Sequence, residues 1–330
     1  MRERTRVIDD SGLPPDVDGT VVTVGTFDGV HLGHRDVLAR LVARAKETGR
    51  PSALITFDPH PLEVVNPAAA PPLLTVGEEK LELLVESGIN YVMVVPFTAS
   101  LSHHTPDQFV DVVLRGRGRM AELLIGYDHG FGRGRTGDVE MLQALGAREG
   151  FRVEVVPPFT VGDGRPISST SIRRAVAGGD LQRAAGSLGR LYSVAGRVVR
   201  GDQRGRLLGY PTINLPLPTS RKLLPPEGVY AVIVQTPHGP HGGMMNLGPR
   251  PTFADPSVTL EVHLFDAEVN LYGAHVRIDF LARLRDTMRF PDATALITQL
   301  GRDEEAARRA LTLPRVFPNV PSSPTLTSAR

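Results

Sequence analysis

Cysteine and tryptophan are absent from this 330-residue chain, and aromatic residues make up only 5% of it. Without cysteine there is no disulfide, no zinc–thiolate centre and no cysteine nucleophile. Neither sign of charge dominates. The formal net charge of +1 excludes a broad electrostatic grip on nucleic acid or on an anionic membrane, so any anionic ligand must be held locally. No apolar run approaches the ~20 residues needed to span a bilayer. The opening Met1-Arg2-Glu3-Arg4-Thr5 lacks the apolar core of a signal peptide. The expectation is a cytoplasmic protein with small-molecule partners, no nucleic acid and no membrane; its oligomeric state stays open. A hydrophobic share of 41% against 22% charged residues describes an ordinary globular chain, and its length suits about two domains.

What is present centres on one stretch. Val21, Val22 and Val24 read as a buried strand, and Leu38, Leu41, Val42 and Ala45 recur at helical spacing to about Thr48. Between them runs Gly25-Thr26-Phe27-Asp28-Gly29-Val30-His31-Leu32-Gly33-His34. Its glycines permit positive φ or close approach of another group to the backbone. A helix N-terminus with free N–H groups favours phosphate, and two imidazoles there can donate hydrogen bonds to a phosphorus centre. The same two histidines also fit a plainer role as helix caps or surface groups.

Short apolar runs then alternate with helical stretches. Strands are expected at Ala53 to Phe57, Tyr91 to Val95, Leu123 to Ile125 and Val153 to Val156, with helices at Glu78 to Glu86, Asp107 to Leu114 and Val139 to Glu149. Strands apolar on both sides imply a parallel sheet covered by helices, with ligands beyond the carboxyl ends of its strands. The unusual residues follow strands: Asp58-Pro59-His60-Pro61, the run Gly126 to Arg135, and Ile167-Ser168-Ser169-Thr170-Ser171-Ile172-Arg173-Arg174. His60 between prolines equally stiffens a loop, and the Ser/Thr cluster equally caps a helix.

Two short helices about a turn at Gly178-Gly179 lead to a change of pattern after Leu191, where turn-separated strands take over. Strands are expected at Tyr192 to Arg200, Gly228 to Val234, Gly243 to Leu247, Val258 to Phe265 and His275 to Phe280, closed by a helix from Asp292 to Arg309. This is the pattern of a small barrel. The loop from Gly201 through Gly205, Arg206 and Gly209 to Pro211-Thr212-Ile213-Asn214 offers backbone N–H groups and two neutral oxygen ligands for Mg2+ with ATP phosphates. Glu261, alternating with apolar neighbours, is costly to bury without a partner and suits proton removal from an alcohol. A solvent-facing glutamate outside the barrel is the plainer alternative.

The Gly25-to-His34 segment resembles the signature of the HxGH nucleotidyltransferases. More narrowly, it resembles the prokaryotic bifunctional riboflavin kinase/FMN adenylyltransferase family, also called FAD synthetase. The resemblance implies a Rossmann-like domain over residues 1–187 in which the phosphate of FMN attacks the α-phosphorus of ATP. It implies catalytic roles for His31, His34, Ser168 and Arg173. ATP would lie on Gly25, Phe27, Asp28, Gly29, His31, Gly33, His34, Arg165, Ser168, Ser169, Thr170 and Arg173, and FMN on Phe57, His60, Asp128 and Phe131. The chain departs from the family at His129 and Gly130, where an aromatic residue followed by arginine or threonine is frequent.

The second half, 188–312, is similar to riboflavin kinase through Gly205-Arg206, Pro-Thr-Ile-Asn at 211–214, Pro226-Glu227-Gly228-Val229-Tyr230, Pro251-Thr252-Phe253, Glu261-Val262-His263-Leu264, Leu271-Tyr272-Gly273 and Phe280 to Asp286. The resemblance implies a β-barrel with a C-terminal helix, and transfer of the ATP γ-phosphoryl group to riboflavin. Glu261 would be the base. Gly201, Gly205, Arg206, Gly209, Pro211, Thr212 and Asn214 would bind ATP, Thr212 and Asn214 the metal. Glu261, Arg285 and Asp286 would meet riboflavin. Ile213 stands where alanine is commoner. Residues 313–330, rich in proline and serine, are expected to be a disordered tail. Two rivals stay open on the residues: a nucleotidyltransferase for another substrate, and a flavin-binding module without turnover.

Overall fold

The computed structural model describes residues 5–127, 130–132, 137–161, 164–201, 204–217, 219, 221–249, 258–267, 269–314 and 317. They form two compact units, one of residues 5–71 and 80–168, the other of 72–79 and 169–317. The resemblance implies a boundary at 187/188, whereas the second compact unit takes in the helices of 169–188 and the segment 72–79 together with the later strands.

The chain order of the first half is β1 (Arg6–Ile8), β2 (Thr20–Val24), α1 (Leu32–Thr48), β3 (Ser52–Asp58), α2 (Pro61–Val65), a 3-10 turn (Pro67–Ala69), α3 (Gly77–Val85), β4 (Tyr91–Pro96), α4 (Ala99–Ser102), α5 (Pro106–Phe109), a π-helical segment (Val110–Arg117), β5 (Met120–Gly126), α6 (Val139–Glu149), β6 (Arg152–Val156) and the short pair β7 (Thr160–Val161) and β8 (Arg165–Pro166). Six strands pair in the order β1-β4-β3-β2-β5-β6, all parallel. Adjacent residues of one strand serve opposite cores. Val22, Val24, Ile55, Met93 and Ile125 join one apolar cluster, while Val21, Leu54, Val92 and Leu124 join the other with Leu38 and Leu41 of α1. That two-sided burial is why these strands are apolar throughout. From β2 the chain winds outward to β3 and β4, then returns to β5 on the other side of β2. The switch point therefore lies at the carboxyl end of β2, where this class of sheet opens a crevice.

The second unit holds α7 (Ser169–Ala177), α8 (Leu181–Leu188), β9 (Ser193–Arg197), α9 (Arg204–Leu207), β10 (Ile213–Leu215), β11 (Gly228–Thr236), β12 (Gly239–Pro249), β13 (Val258–Leu264), β14 (His275–Arg285) and α10 (Ala293–Thr312). The strands pair in the order β10-β13-β12-β11-β14-β9, all antiparallel. The first and last strands meet through an isolated bridge between Val199 and Asn214, in which the Val199 N–H donates to Asn214 O at 2.8 Å. Leu215, Leu260 and Leu247 form one buried cross-strand row, and Val262 and Met245 with Tyr230 the next. These rows fill the barrel. α10 covers the outer wall, where Ala307 packs with Ala231, Met244 and Phe265.

Segment 72–79 is bound into this unit by a buried ion pair. Lys222 Nζ donates to Glu79 Oε2 at 2.7 Å and to Leu74 O at 2.6 Å, and Ser193 Oγ donates to Glu79 Oε1 at 2.8 Å. No described helix is long and apolar enough to cross a membrane.

Several elements differ from the sequence expectation, β10 (Ile213–Leu215) among them, which forms where the sequence reads as a loop. β1 adds a sixth strand at the sheet edge beyond β4. The helix expected at Asp107 to Leu114 is one turn of α-helix followed by π-helical winding.

Candidate active sites

In the first unit, β2 ends at Val24 and the chain turns through Gly25 to Gly33 before α1. His31 is the N-cap of α1, and its Nδ1 accepts the backbone N–H of His34 at 3.2 Å. That bond places the ring proton of a neutral His31 on Nε2, leaving Nε2–H as a donor. The His31 and His34 rings stack, with centroids 3.6 Å apart and planes 15° apart, and Phe27 lies 4.9 Å from His34. The capping and anion-binding readings of His31 are thus the same geometry.

Each glycine has its own reason. A Cβ on Gly33 would come 3.2 Å from His31 Cε1, and one on Gly25 3.1 Å from the Phe27 ring. Gly29 takes φ +85°, beside Phe27 at φ +48° and Val30 at φ +39°. For a β-branched residue that is a strained conformation, concentrated in the segment singled out by the sequence. The first turn of α1 carries no acidic residue, as an anion site requires.

Asp28 is buried. One neighbour that the sequence reading missed is Lys80, on α3. Its Nζ donates to Thr56 Oγ1 at 2.8 Å, and Thr56 Oγ1 donates to Thr26 O at 3.2 Å. Burial lowers the Lys80 ammonium to a pKa of about 8, against the opposing pull of the Asp28 and Asp58 carboxylates. Its position in Glu-Glu-Lys-Leu-Glu resembles a solvated helix face, so no local signal marks it.

After β3, His60 caps α2, its Nδ1 accepting the Leu62 N–H and its own N–H donating to Glu63 Oε2 at 2.8 Å. Phe57 is a core residue rather than an open surface. It stands in an aromatic series with Phe109, 6.2 Å away, and Phe131, 4.7 Å beyond that. The structure therefore brings Phe57 and Phe131 together through Phe109. Asp128 lies outside the described residues, as does Pro251-Thr252-Phe253. Arg165 lies on β8, and Ser168 is exposed at the end of this unit. In the second unit Ser169 and Thr170 open α7, one turn before Arg173.

The barrel assembles its candidates by register. Asn214 of β10 pairs with Glu261 of β13, Glu261 with Asn246 of β12, Asn246 with Val229 of β11, and Val229 with Arg285 of β14. Residues directly opposite in paired strands share a face. One row across five strands thus carries Asn214, Glu261, Asn246 and Arg285. Leu260 and Val262, on either side of Glu261, point into the packed interior, so Glu261 is on the outer wall. It is half-buried there, beside Asn214, which is only 6% exposed. Its position outside the barrel is the one the plainer alternative gave it, and its half-burial beside Asn214 sets it apart from a fully solvated residue.

Gly201 fits against this row: a Cβ there would sit 2.3 Å from Asn214 Nδ2. Gly205 approaches the Tyr210 carbonyl, where a Cβ would lie 2.2 Å from the oxygen, and Gly209 takes φ +83°. Thr212 precedes Asn214 by two residues and is half-buried, whereas Arg206 and Pro211 are exposed. His263 Nδ1 lies 2.8 Å from Pro211 O, tying this loop to β13. Arg285 has its fork occupied. Nε and Nη2 donate to Asp303 of α10 at 2.7 to 3.0 Å, and Nη1 donates to Asp286 O at 2.8 Å. The Asp286 carboxylate is 82% exposed and pairs with Arg283. Asn246 was missed in the sequence because only strand pairing puts it beside Glu261.

Comparison with known proteins gives two family matches in succession: FAD synthetase over residues 13–171 and riboflavin kinase over residues 188–311. A relative in Escherichia coli (strain K12), named bifunctional riboflavin kinase/FMN adenylyltransferase, is 39% identical over 88% of this chain and 92% of its own. A protein of the same name in Pseudomonas fluorescens is 39% identical over 90% of this chain and 94% of its own. Among solved structures, a Streptococcus pneumoniae chain described as a macrolide-efflux protein aligns with TM-score 0.80 and 29% identity, covering 92% of this chain and 99% of that one. Matched in order through both halves, the chain belongs to the bifunctional riboflavin kinase/FMN adenylyltransferase family.

Proposed function

We propose that the chain phosphorylates riboflavin to FMN and then adenylylates FMN to FAD, using ATP at two separate sites, as a cytoplasmic enzyme. The observation that carries this is the succession of two family matches on non-overlapping stretches. Each stretch has its own assembly of polar residues.

At the first site an oxygen of the FMN phosphate attacks the α-phosphorus of ATP. The bond from that phosphorus to the bridging oxygen breaks, and pyrophosphate leaves. His31 Nε2–H, His34 and the first-turn N–H groups of α1 bear on the growing phosphate charge, with Arg165 and Ser168 available to the triphosphate. The nucleotide lies along Gly25, Phe27, Asp28, Gly29 and Gly33, and the flavin nucleotide toward Phe57, His60, Asp128 and Phe131. No covalent intermediate is required, since positioning and charge stabilisation suffice for transfer at phosphorus.

At the second site Glu261 takes the proton of the ribityl 5′-hydroxyl as its oxygen attacks the γ-phosphorus, and ADP leaves. ATP rests on Gly201, Gly205, Arg206, Gly209, Pro211, Thr212 and Asn214, and riboflavin lies near Glu261, with Arg285 holding the chain around Asp286. The donor set fits Mg2+: the Thr212 hydroxyl and the Asn214 amide are neutral oxygens, and among the described residues no cluster of three His, Cys, Asp or Glu competes for a softer metal. Once bound with ATP, Mg2+ would neutralise phosphate charge.

Incubation with riboflavin and Mg–ATP, followed by chromatography, tests the reading. Riboflavin should fall, FMN rise and decline, and FAD accumulate with ADP and pyrophosphate. Flavin that stays unchanged, or is bound without ATP consumption, would refute it.

A further inference from the structure

Lys80 is linked to the glycine loop by the contacts described above, and it takes no part in the proposed chemistry. Its Nζ reaches Thr56 Oγ1 and, at 3.5 Å, Phe57 O, both at the carboxyl end of β3. Through the Thr56 hydroxyl it is linked to the carbonyl of Thr26, inside the loop itself. The charged groups acting on it are Asp28, in the loop after β2, and Asp58, the last residue of β3. Two carboxylates beside a crevice for a polyphosphate would repel it, the buried Asp28 more strongly than the exposed Asp58.

We propose that Lys80 is a positioning residue for adenylyl transfer: its ammonium neutralises Asp28 and Asp58 and holds the glycine loop in the form that accepts the ATP triphosphate. It does not touch the reacting atoms. Loss of its proton leaves the two carboxylates uncompensated, so the consequence falls on ATP binding rather than on the chemical step. Burial brings that loss into an accessible range, with a pKa of about 8.

The inference rests on the adenylyltransferase reading, and the test separates the two. KM for ATP in FAD formation from supplied FMN is measured from pH 7 to 9.5 in the intact chain, for the unaltered protein, Lys80→Arg and Lys80→Met. Riboflavin phosphorylation by the same preparations reports folding of the second unit, and far-UV circular dichroism with thermal unfolding reports folding of the whole chain. In the unaltered protein KM should rise about tenfold with a midpoint near pH 8, kcat changing less than about threefold. Lys80→Arg, charged throughout, should remove the rise while keeping the low KM. Lys80→Met should hold the high KM at every pH. A flat KM in the unaltered protein would overturn the inference, as would a Lys80→Met enzyme that keeps the low KM. Loss of FAD formation in both variants with the thermal transition and phosphorylation intact would also overturn it, because charge would then not be what matters. Absence of FAD formation in the unaltered protein would refute the functional reading itself.

Discussion

Asn214 and Glu261, far apart in the chain, are direct cross-strand partners on the outer wall of the barrel. The pairing sets a neutral side-chain amide beside a carboxylate on one face, and the proposed kinase roles of the two residues rest on it.

Glu261→Gln keeps the shape of that row and removes the proposed base. FMN formation should fall about 10²- to 10⁴-fold, while FAD formation from supplied FMN continues at the unaltered rate. Separate assays of the two steps check it, and undiminished phosphorylation would return Glu261 to the status of a surface residue.

Gly201→Ala tests the loop against the row. Its methyl carbon would come 2.3 Å from Asn214 Nδ2, so the amide must shift. KM for ATP in the kinase reaction should rise roughly tenfold, about 1.4 kcal/mol, with no change in adenylylation. Steady-state kinetics at varied ATP measures this.

At the other site, His31→Ala with His34→Ala should abolish FAD formation and leave FMN formation intact. Gly33→Ala should give a milder loss, because its Cβ would press on His31 Cε1 from 3.2 Å and disturb the ring stack. Adenylylation that survives the double change would remove the histidines from the mechanism.

Burial pushes the Asp279 carboxyl up from its ordinary value of 3.8, against hydrogen bonds from Gln235 and Arg277. The folded protein holds this proton more tightly than the unfolded chain. The stabilisation is therefore complete below pH 3.8 and is lost as pH rises through the folded value. Asp279→Asn should become progressively more stable than the unaltered protein from pH 4 to 7, read as the difference in Tm at each pH.

Lys222→Met leaves the buried Glu79 carboxylate without its cation, a change that costs about 3–5 kcal/mol in comparable buried pairs. Thermal or denaturant unfolding of the full chain should show the loss. Replacing both Glu79 and Lys222 with apolar residues should recover much of it.

The parallel sheet was legible because two-sided burial writes unbroken apolar runs such as Tyr91 to Val95, and the loop of Gly25 to His34 because it joins glycines and histidines at a strand end. β1 escaped notice since Arg6, Val7 and Ile8 form too short a run to show a period. π-helical winding at Val110–Arg117 leaves no mark on composition. The kinase candidates could be named singly, but their common row depends on register between strands distant in sequence. Lys80 was hidden for a related reason: an ammonium's burial is set by what packs over it, and its helix has the composition of an open face.

Among the described residues the seam of the barrel is a single rung, from the Val199 amide to the Asn214 carbonyl, on the very residue paired across strands with Glu261. Opening that rung would loosen the backbone that carries Asn214, so the solvent-exchange rate of the Val199 amide proton becomes a spectroscopic gauge of how firmly the proposed kinase row is held, readable without any substrate.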